Sequence, residues 1–148
     1  MLQLVKSHED LRKLRGSTLR SHVQVKYDKV EPIDNQRLKK CLSKMKGSDV
    51  NRWNPDILNM ICGYFEDMQN LFTALSKKMK KGSVIYFNVA NSAYFGVEVP
   101  VDYIIGDIAE ECGFTVREIR KARDLKTSPQ QRERIGMLRE SVLVIDRK

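Results

Sequence analysis

The sequence predicts an α/β fold in its second half, with short helices before it. Three observations support this prediction. An amphipathic helical pattern runs over residues 54–82, and a β-branched run over residues 83–89 follows at once. A second helical pattern comes next, and two further strand patterns joined by a polar connection close the chain. Helices and strands that alternate in this way are typical of a sheet covered by helices.

Residues 1–53 are predicted to form a helical and basic N-terminal segment. A short helix is predicted over residues 8–15, between Ser7 and Gly16. A second helix is predicted to run from Asp34, as its cap, to Lys46. The apolar positions of this second helix recur on one face: Leu38, Cys41, Leu42 and Met45.

The strongest helical pattern begins at Asn54, a good N-cap, with Pro55 at the first helical position. Apolar residues then recur at steps of three and four, which predicts a helix of about six or seven turns. Lysines gather near its C-terminal end, where positive charge is favoured, and Gly82 ends it. We interpret its methionine and aromatic stripe as a core face, not as a cofactor site.

Two strand patterns are apolar on both faces, over residues 83–89 and 141–145. Such runs are typical of strands buried between two layers. With the helix that begins at Asn54, they define a second predicted domain over residues 54–148. Three strands make only a small sheet, so full burial of both runs requires cover from elsewhere.

The elements between these two strands are also predicted from local patterns. Residues 90–100 read as a loop, and residues 101–112 as a helix that Gly113 caps. Residues 115–121 alternate as a strand does, and residues 122–140 read as a polar connection.

Composition favours a soluble protein with a polyanionic partner. No apolar run approaches the roughly 20 residues that span a bilayer. The net charge of +8 suggests nucleic acid, although a basic surface that serves solubility alone is an equal alternative. Three widely spaced cysteines without a CxxC pair predict reduced core residues of a cytoplasmic protein and no metal site.

An ordered set of segments resembles one known family. The segments are YFEDM at 64–68, NVANSAYFGVEVPVD at 88–102, GF at 113–114 and RESVLVI at 139–145. They are similar to the C-terminal region of the N4-cytosine/N6-adenine DNA amino-methyltransferases, which use S-adenosylmethionine. The resemblance is greatest to members that carry a Ser-Pro-Pro-Tyr catalytic motif, and it extends over nearly the whole chain.

The resemblance implies the C-terminal part of a Rossmann-like class I methyltransferase sheet with N-terminal helices. That sheet has seven strands, and its last strand lies antiparallel between the fifth and the sixth. On this template residues 83–89 are the fifth strand, 115–121 the sixth and 141–145 the seventh.

The catalytic and cofactor motifs of the family are absent from this sequence. The cofactor needs a Gly-rich turn, because only glycine lets the backbone approach so closely. None of the eight glycines forms a GxG pair, and all four prolines are isolated. The resemblance therefore implies a C-terminal half or subunit with no catalytic residue of its own. It would methylate an exocyclic amino group of cytosine or adenine only with an N-terminal half, and S-adenosylmethionine would bind only in that complex.

Two alternatives stay open at this point: a non-catalytic nucleic-acid-binding module derived from the same fold, and a truncated open reading frame. On the template of the family, the strand over residues 83–89 would lie at an open sheet edge, where the first four strands should continue the sheet. An unpaired apolar edge invites pairing with another chain, so we expect an N-terminal methyltransferase half as partner or self-association as a homodimer.

Asn88, Asn91 and Ser92 follow the first predicted strand, at the sheet edge where open α/β folds bind ligands. We predict that they support a target-base pocket. The alternative is turn chemistry, in which these side chains bond to their own backbone. Asp102, shortly after Pro100, reads first as an N-terminal helix cap or a first-turn acid, with a catalytic role as the alternative.

Two basic stretches are predicted to contact DNA phosphates, one in the N-terminal segment and one in the long polar connection. Gln130 and Gln131 in that connection suit an adenine edge. The alternative is a solvated charged surface. The predicted contact residues are Arg12, Lys13, Arg15, Arg20, Arg123, Lys126, Arg132 and Arg134.

Overall fold

The computed structural model describes residues 7–50, 54–129 and 132–148. Its elements are α1 His8–Gly16, α2 Gln36–Lys46, α3 Ile57–Lys78, β1 Val84–Ala90, β2 Ser92–Tyr94, β3 Val97–Val99, α4 Val101–Glu111, β4 Phe114–Lys126 and β5 Met137–Arg147. The predicted domain boundary after residue 53, and Gln130 and Gln131, lie outside the described residues. Among the described helices, none has the length and apolarity needed to cross a membrane.

The three longer strands form one sheet in the order β1-β5-β4. The last strand, β5, pairs antiparallel with both neighbours. Its residues Leu143, Val144 and Ile145 are buried, as predicted for a strand covered on both faces. The fold is therefore mixed α/β with the last strand in the middle. That these are the fifth to seventh strands of a Rossmann-like sheet stays a prediction.

The first strand, β1, has the edge position expected for residues 83–89, but it is not buried on both faces as its composition predicted. It lies at an edge of the sheet, with β5 as its neighbour. Tyr86 is 70% exposed and Val84 37% exposed. Phe87 faces inward, and its ring lies 5.6 Å from that of Phe72 on α3. The apolar outer face of β1 therefore has no cover from the described part of the chain.

Two predicted loops contain strand structure. Residues 90–100 form a small antiparallel hairpin of β2 and β3. The connection predicted over 122–140 shrinks to residues 127–136, because β4 continues to Lys126 and β5 begins at Met137. The second half of β4 is exposed on both faces, so it lacks the apolar alternation by which a half-buried strand is recognised.

The helix starts follow the predicted capping chemistry with one correction. The Ser7 hydroxyl accepts a hydrogen bond from the Asp10 amide, as expected for the start of α1. The cap of α2 is Asn35, whose Oδ1 accepts from the Leu38 amide at 2.9 Å. The predicted cap, Asp34, forms an ion pair with Lys39 instead.

The long helix α3 was predicted with its start at Asn54. The Asn54 side chain accepts a hydrogen bond from the Asp56 amide at 2.9 Å, and the regular helix begins at Ile57. It ends at Lys78, before the predicted stop at Gly82. One apolar cluster joins this helix to α2, α4 and β5; its members include Leu38, Met45, Phe65, Phe72, Ile104, Ile108, Leu143 and Ile145.

Candidate functional site

A cavity of about 360 Å³ lies at the C-terminal end of β1, between α3 and the β2–β3 hairpin. This volume falls at the lower end of the range for small-ligand pockets, roughly 300–1,000 Å³. Aromatic rings, apolar groups and polar side chains line it together, including Tyr64, Phe65, Asn88, Val89, Ser92 and Tyr94. Such a surface suits a planar ligand that has both an apolar face and polar edges.

The two tyrosines of the cavity keep their phenol protons at neutral pH. Burial raises the pKa of Tyr64, and its proximity to Tyr94 raises it further. Burial also raises the pKa of Tyr94, against a smaller opposing effect of a hydrogen bond with Ser92. Both hydroxyls are therefore neutral groups that can donate as well as accept hydrogen bonds.

Two of the three residues predicted to support a target base line this cavity. Asn88 and Ser92 contribute to its wall, and the Asn88 side chain also donates to the Glu140 carboxylate on β5 at 3.1 Å. Asn91 is buried and does not line it. Its amide nitrogen donates to Glu98 at 3.0 Å, and its Oδ1 accepts from the Asp102 backbone amide at 3.2 Å. Asn91 thus ties the hairpin to the start of α4.

An ion pair between Arg139 and the buried carboxylate of Asp102 was not found from the sequence. Asp102 is 0% exposed; its Oδ2 accepts from Arg139 Nε at 2.6 Å and from the Ser141 hydroxyl at 2.7 Å. The hydrogen bond to Asp102 raises the pKa of Arg139 above its ordinary value. The guanidinium of Arg139 also stacks 4.5 Å from the centre of the Tyr103 ring. This network fastens α4 to β5, and through β5 it supports β1.

The N-terminal segment is fixed to α3 by Arg20. Its Nε donates to Asp67 at 3.0 Å, and its Nη2 donates to Glu66 at 2.6 Å. Burial alone would raise the pKa of Asp67, but the hydrogen bonds from Arg20 hold it below its usual range. A β-carbon at Gly63 would lie 2.8 Å from the Arg20 side chain, so this helix glycine leaves room for the contact.

The other predicted cations of the N-terminal segment lie on α1, a helix with no buried residue. Lys13 pairs with Glu9 of the same helix. Arg12 and Arg15 form no ion pair with any described residue, and both line a cavity of about 480 Å³ together with Gln24. These two guanidinium groups therefore remain available for an anion.

The predicted cations of β4 and of the β4–β5 connection also divide into residues with an ion pair and residues without one. Arg123 pairs with Glu140, and Arg134 makes a two-pronged pair with Asp49 at 2.8 and 3.0 Å. Lys126 and Arg132 make no ion pair within the described ranges. Lys126 lines a second cavity together with Ser92 and Tyr94, so the structure places one predicted DNA contact next to the predicted base site.

The described residues do not fit the Gly-rich turn that S-adenosylmethionine requires. Three glycines have positive φ angles: Gly82, Gly96 and Gly113. Gly82 and Gly113 precede strands instead of following them. At Gly96 the Arg134 side chain lies 2.8 Å from the position of an added β-carbon, so the space is filled. The described residues also hold no cluster of three metal-ligating side chains.

Comparison with known proteins finds partial relatives. The chain is 32% identical over 90 residues to the Type II methyltransferase M.AvaI of Nostoc sp. and to that of Anabaena variabilis; the match covers 59% of this chain and 19% of each relative. It is 33% identical over 104 residues to the Type II methyltransferase M.BsoBI of Geobacillus stearothermophilus, which covers 68% of this chain and 20% of the relative.

The chain thus spans about a fifth of the length of the curated relatives it matches. No family model matches it, and no solved structure does either. The relatives support the resemblance to methyltransferases seen in the sequence, while the Ser-Pro-Pro-Tyr subtype stays a prediction.

Proposed function

We propose that this chain is the C-terminal half or a subunit of a DNA amino-methyltransferase and is inactive alone. An N-terminal half would supply the S-adenosylmethionine site and the catalytic loop. This chain would complete the sheet, support the target base and contact the DNA backbone. The observation that carries the proposal is an unprotected strand edge, β1, next to a cavity lined by Asn88 and Ser92.

The free edge of β1 can be assigned residue by residue. The Asn91 amide donates to the Arg139 carbonyl, and the Arg147 amide donates to the Ser83 carbonyl. In an antiparallel pair these bonds alternate, so the odd-numbered residues of β1 bond to β5. The backbone groups of the even-numbered residues therefore point away from β5: Val84, Tyr86, Asn88 and Ala90.

Strand β1 itself carries none of the features that usually protect an exposed edge. The strand has no charged residue, no proline and no register shift. Proteins usually protect an exposed edge with one of these devices. An edge without them is suited to accept a further strand, which a complementary methyltransferase half would provide.

The cavity at the end of β1 would hold the base whose amino group is methylated. Enzymes that modify a base in duplex DNA turn it out of the stack and hold it against aromatic side chains. Tyr64 and Tyr94 offer such rings, and Asn88 and Ser92 offer hydrogen-bonding groups at the cavity wall. The residues of this chain would bind and orient the base, whereas the reacting groups would come from the other half.

DNA phosphates would be contacted by the predicted cations that carry no ion pair with a described residue: Arg12, Arg15, Lys126 and Arg132. Each phosphate that they neutralise releases condensed counterions, which favours binding at low salt. We expect Arg20, Arg123 and Arg134 to contribute mainly by positioning their segments, because carboxylates engage their guanidinium groups.

A complementation assay tests the proposal. The purified chain is mixed with an M.BsoBI variant that lacks the segment similar to this chain, and methyl transfer from radiolabelled S-adenosylmethionine to DNA is measured. We expect transfer in the mixture and none with either component alone. Micromolar binding of S-adenosylmethionine by the isolated chain in calorimetry would contradict the proposal.

The second candidate is a non-catalytic nucleic-acid-binding module of the same fold. The poor fit of the described glycines to a cofactor turn favours it. It predicts salt-dependent DNA binding by the chain alone, with no gain of methyl transfer and no complex in the mixture.

A further inference from the structure

Helix α2 carries a concentration of positive charge that the proposed function does not use. It has five cations and no acidic residue in its 11 positions. Its apolar face is buried in the core, so all five cations are exposed to solvent. The cations are Arg37, Lys39, Lys40, Lys44 and Lys46.

Two of these cations have acidic partners and three do not. Lys39 pairs with Asp34 at 2.5 Å, and Arg37 pairs with Asp107 at 3.0 Å. Lys40, Lys44 and Lys46 form no ion pair with any residue in the described ranges. Their charge is therefore uncompensated by direct contact.

Open grooves flank the helix on two sides. One of about 560 Å³ is lined by Arg37, Lys40 and Lys44 and, opposite them, by the β2–β3 hairpin and Tyr103. The other, of about 440 Å³, is lined by Lys46 with Lys26 and Lys29. Basic side chains thus border both grooves, and α2 forms a ridge between them.

Acidic groups also border the grooves, and they leave the lysines of α2 unpaired. Glu98 lines the larger groove, and its carboxylate accepts a hydrogen bond from Asn91 at 3.0 Å. In the smaller groove Glu31 pairs with Lys29 at 3.0 Å, and Asp56 lines the groove as a second acidic residue. The electrostatic balance at Lys40, Lys44 and Lys46 therefore stays positive.

We propose that the exposed face of α2 is a contact for the phosphate backbone of DNA, in addition to the cations of α1 and of the β4–β5 connection. This inference rests on the proposed function for the identity of the polyanion. With a rise of about 1.5 Å per residue, Arg37 and Lys44 lie roughly 10 Å apart along the helix. That distance equals the rise of about three base pairs, at 3.4 Å each along the axis of the duplex.

The surroundings of the larger groove favour DNA over an acidic protein. Ile135 lines it, so the groove reaches the β4–β5 connection that carries Arg132. The phosphate backbone of one DNA molecule can therefore extend from α2 to the cations of the β4–β5 connection, which are already expected to bind phosphate. Tight protein partners usually require buried apolar anchors, whereas this face offers mainly flexible lysines.

Neutralising the groove lysines tests the proposal. In the double variant K40Q/K44Q glutamine removes both charges and keeps a good helix former. The matched control K77Q/K78Q removes two exposed lysines at the end of α3. Binding to a fluorescent DNA duplex is measured by anisotropy over a series of salt concentrations, and circular dichroism verifies the fold of each variant.

We expect K40Q/K44Q to weaken binding roughly tenfold at low salt and to make the slope of log affinity against log salt shallower by about 2, since each lost phosphate contact contributes about 0.9. The control should leave the slope unchanged. Equal effects of the two double variants would overturn the proposal, because net charge alone would then account for them. Absence of DNA binding by the unmodified chain would overturn it as well.

Two further measurements separate this proposal from the proposed function. If the complementation mixture transfers methyl groups and K126Q/R132Q weakens DNA binding while K40Q/K44Q does not, the α2 contact fails and the proposed function stands. If poly-L-glutamate binds more tightly than DNA and K40Q/K44Q abolishes that binding, α2 recognises an acidic polypeptide, which contradicts the assignment to DNA.

Discussion

The two edges of the three-stranded sheet differ sharply in chemistry. The β1 edge consists of seven residues without a charge, a proline or a bulge. The β4 edge consists of 13 residues, of which seven are charged, and its pairing with β5 shifts register twice. Both edges flank the same buried strand. We therefore attribute their difference to what each edge faces, either solvent or a further strand.

The β4 edge has the features of a permanent solvent edge. Its charges are arranged in surface pairs: Arg120 with Glu118, Lys121 with Asp124, and Arg117 with Asp146 across the ladder. Charges and bulges of this kind discourage a further strand from adding. The β1 edge lacks them, and its outward backbone groups are free to pair. We infer that the β4 edge faces water and that the β1 edge pairs with a strand of another chain.

The largest effect, a decrease in the free energy of unfolding, is expected from Asp102→Asn. Neutralising the buried Asp102 carboxylate weakens the charge-assisted hydrogen bonds that it accepts from Arg139 and Ser141, which contribute about 1.5–3 kcal/mol each. Arg139 would lose its partner, and β5, which both edges share, would lose its tie to α4. Urea denaturation should show this loss of stability, with Ser141→Ala costing only about 1 kcal/mol as a hydrogen-bond control.

Because β5 supports both edges, hydrogen exchange in Asp102→Asn should accelerate in β1 and in β4 alike. Acceleration confined to one strand would mean that the two edges are supported independently.

A smaller but more selective effect is expected from Tyr86→Pro. Proline removes an amide that points away from β5, so the β1–β5 ladder should survive while the free edge loses a donor. A lost bond with an unpaired acceptor costs about 1–3 kcal/mol, or roughly 5- to 150-fold in affinity. We expect a decrease of that size in the complementation assay.

Two controls accompany Tyr86→Pro. In this part of β4 the backbone groups that bond to β5 belong to Glu118 and Arg120, so the amide of Lys121 points outward. Lys121→Pro removes this outward amide. It should leave complementation unchanged. Tyr86→Thr keeps the amide and should retain most of the activity. Equal losses with both prolines would show that the edges are equivalent.

The smallest change in stability is expected from removing the charges of the β4 edge. In E118T/R120T/K121T the lost surface pairs should cost about 1 kcal/mol or less in total. The exposed β4 edge would then resemble β1, so light scattering across a dilution series should show stronger association than for the unmodified chain. Unchanged association would mean that the bulges alone protect β4.

Sequence patterns were sufficient to predict elements whose buried residues are close together in the sequence and follow a regular pattern. Helix α3 was predicted because its apolar residues repeat along one face, and strand β5 because residues 141–145 form a run that is apolar on both faces. The burial of β1 was wrongly predicted because an apolar composition does not show whether a neighbour covers the outer face. The extension of β4 to Lys126 was missed because its exposed residues carry charges on both faces.

The candidate site was predictable only in part, because some of the residues that interact there lie far apart in the sequence. Asn88 and Ser92 follow a strand, and that position indicates a ligand site. Asn91 was grouped with them, but it bonds to the Asp102 amide at the start of α4. The ion pair of Asp102 with Arg139 spans 37 positions, and no local pattern joins these residues. The hairpin was missed because its strands have three residues each and Phe95 adopts a positive φ.

Residue-resolved hydrogen exchange of the outward amides tests most directly whether β1 is the edge that pairs with another chain. The amides of Val84, Tyr86 and Asn88 are compared with those of Ile119 and Lys121, in the chain diluted alone and in the mixture with the M.BsoBI variant lacking the similar segment. We expect all five to exchange rapidly in the dilute chain, and only the three amides of β1 to become protected in the mixture. Protection of Ile119 and Lys121 with continued rapid exchange in β1 would contradict the account.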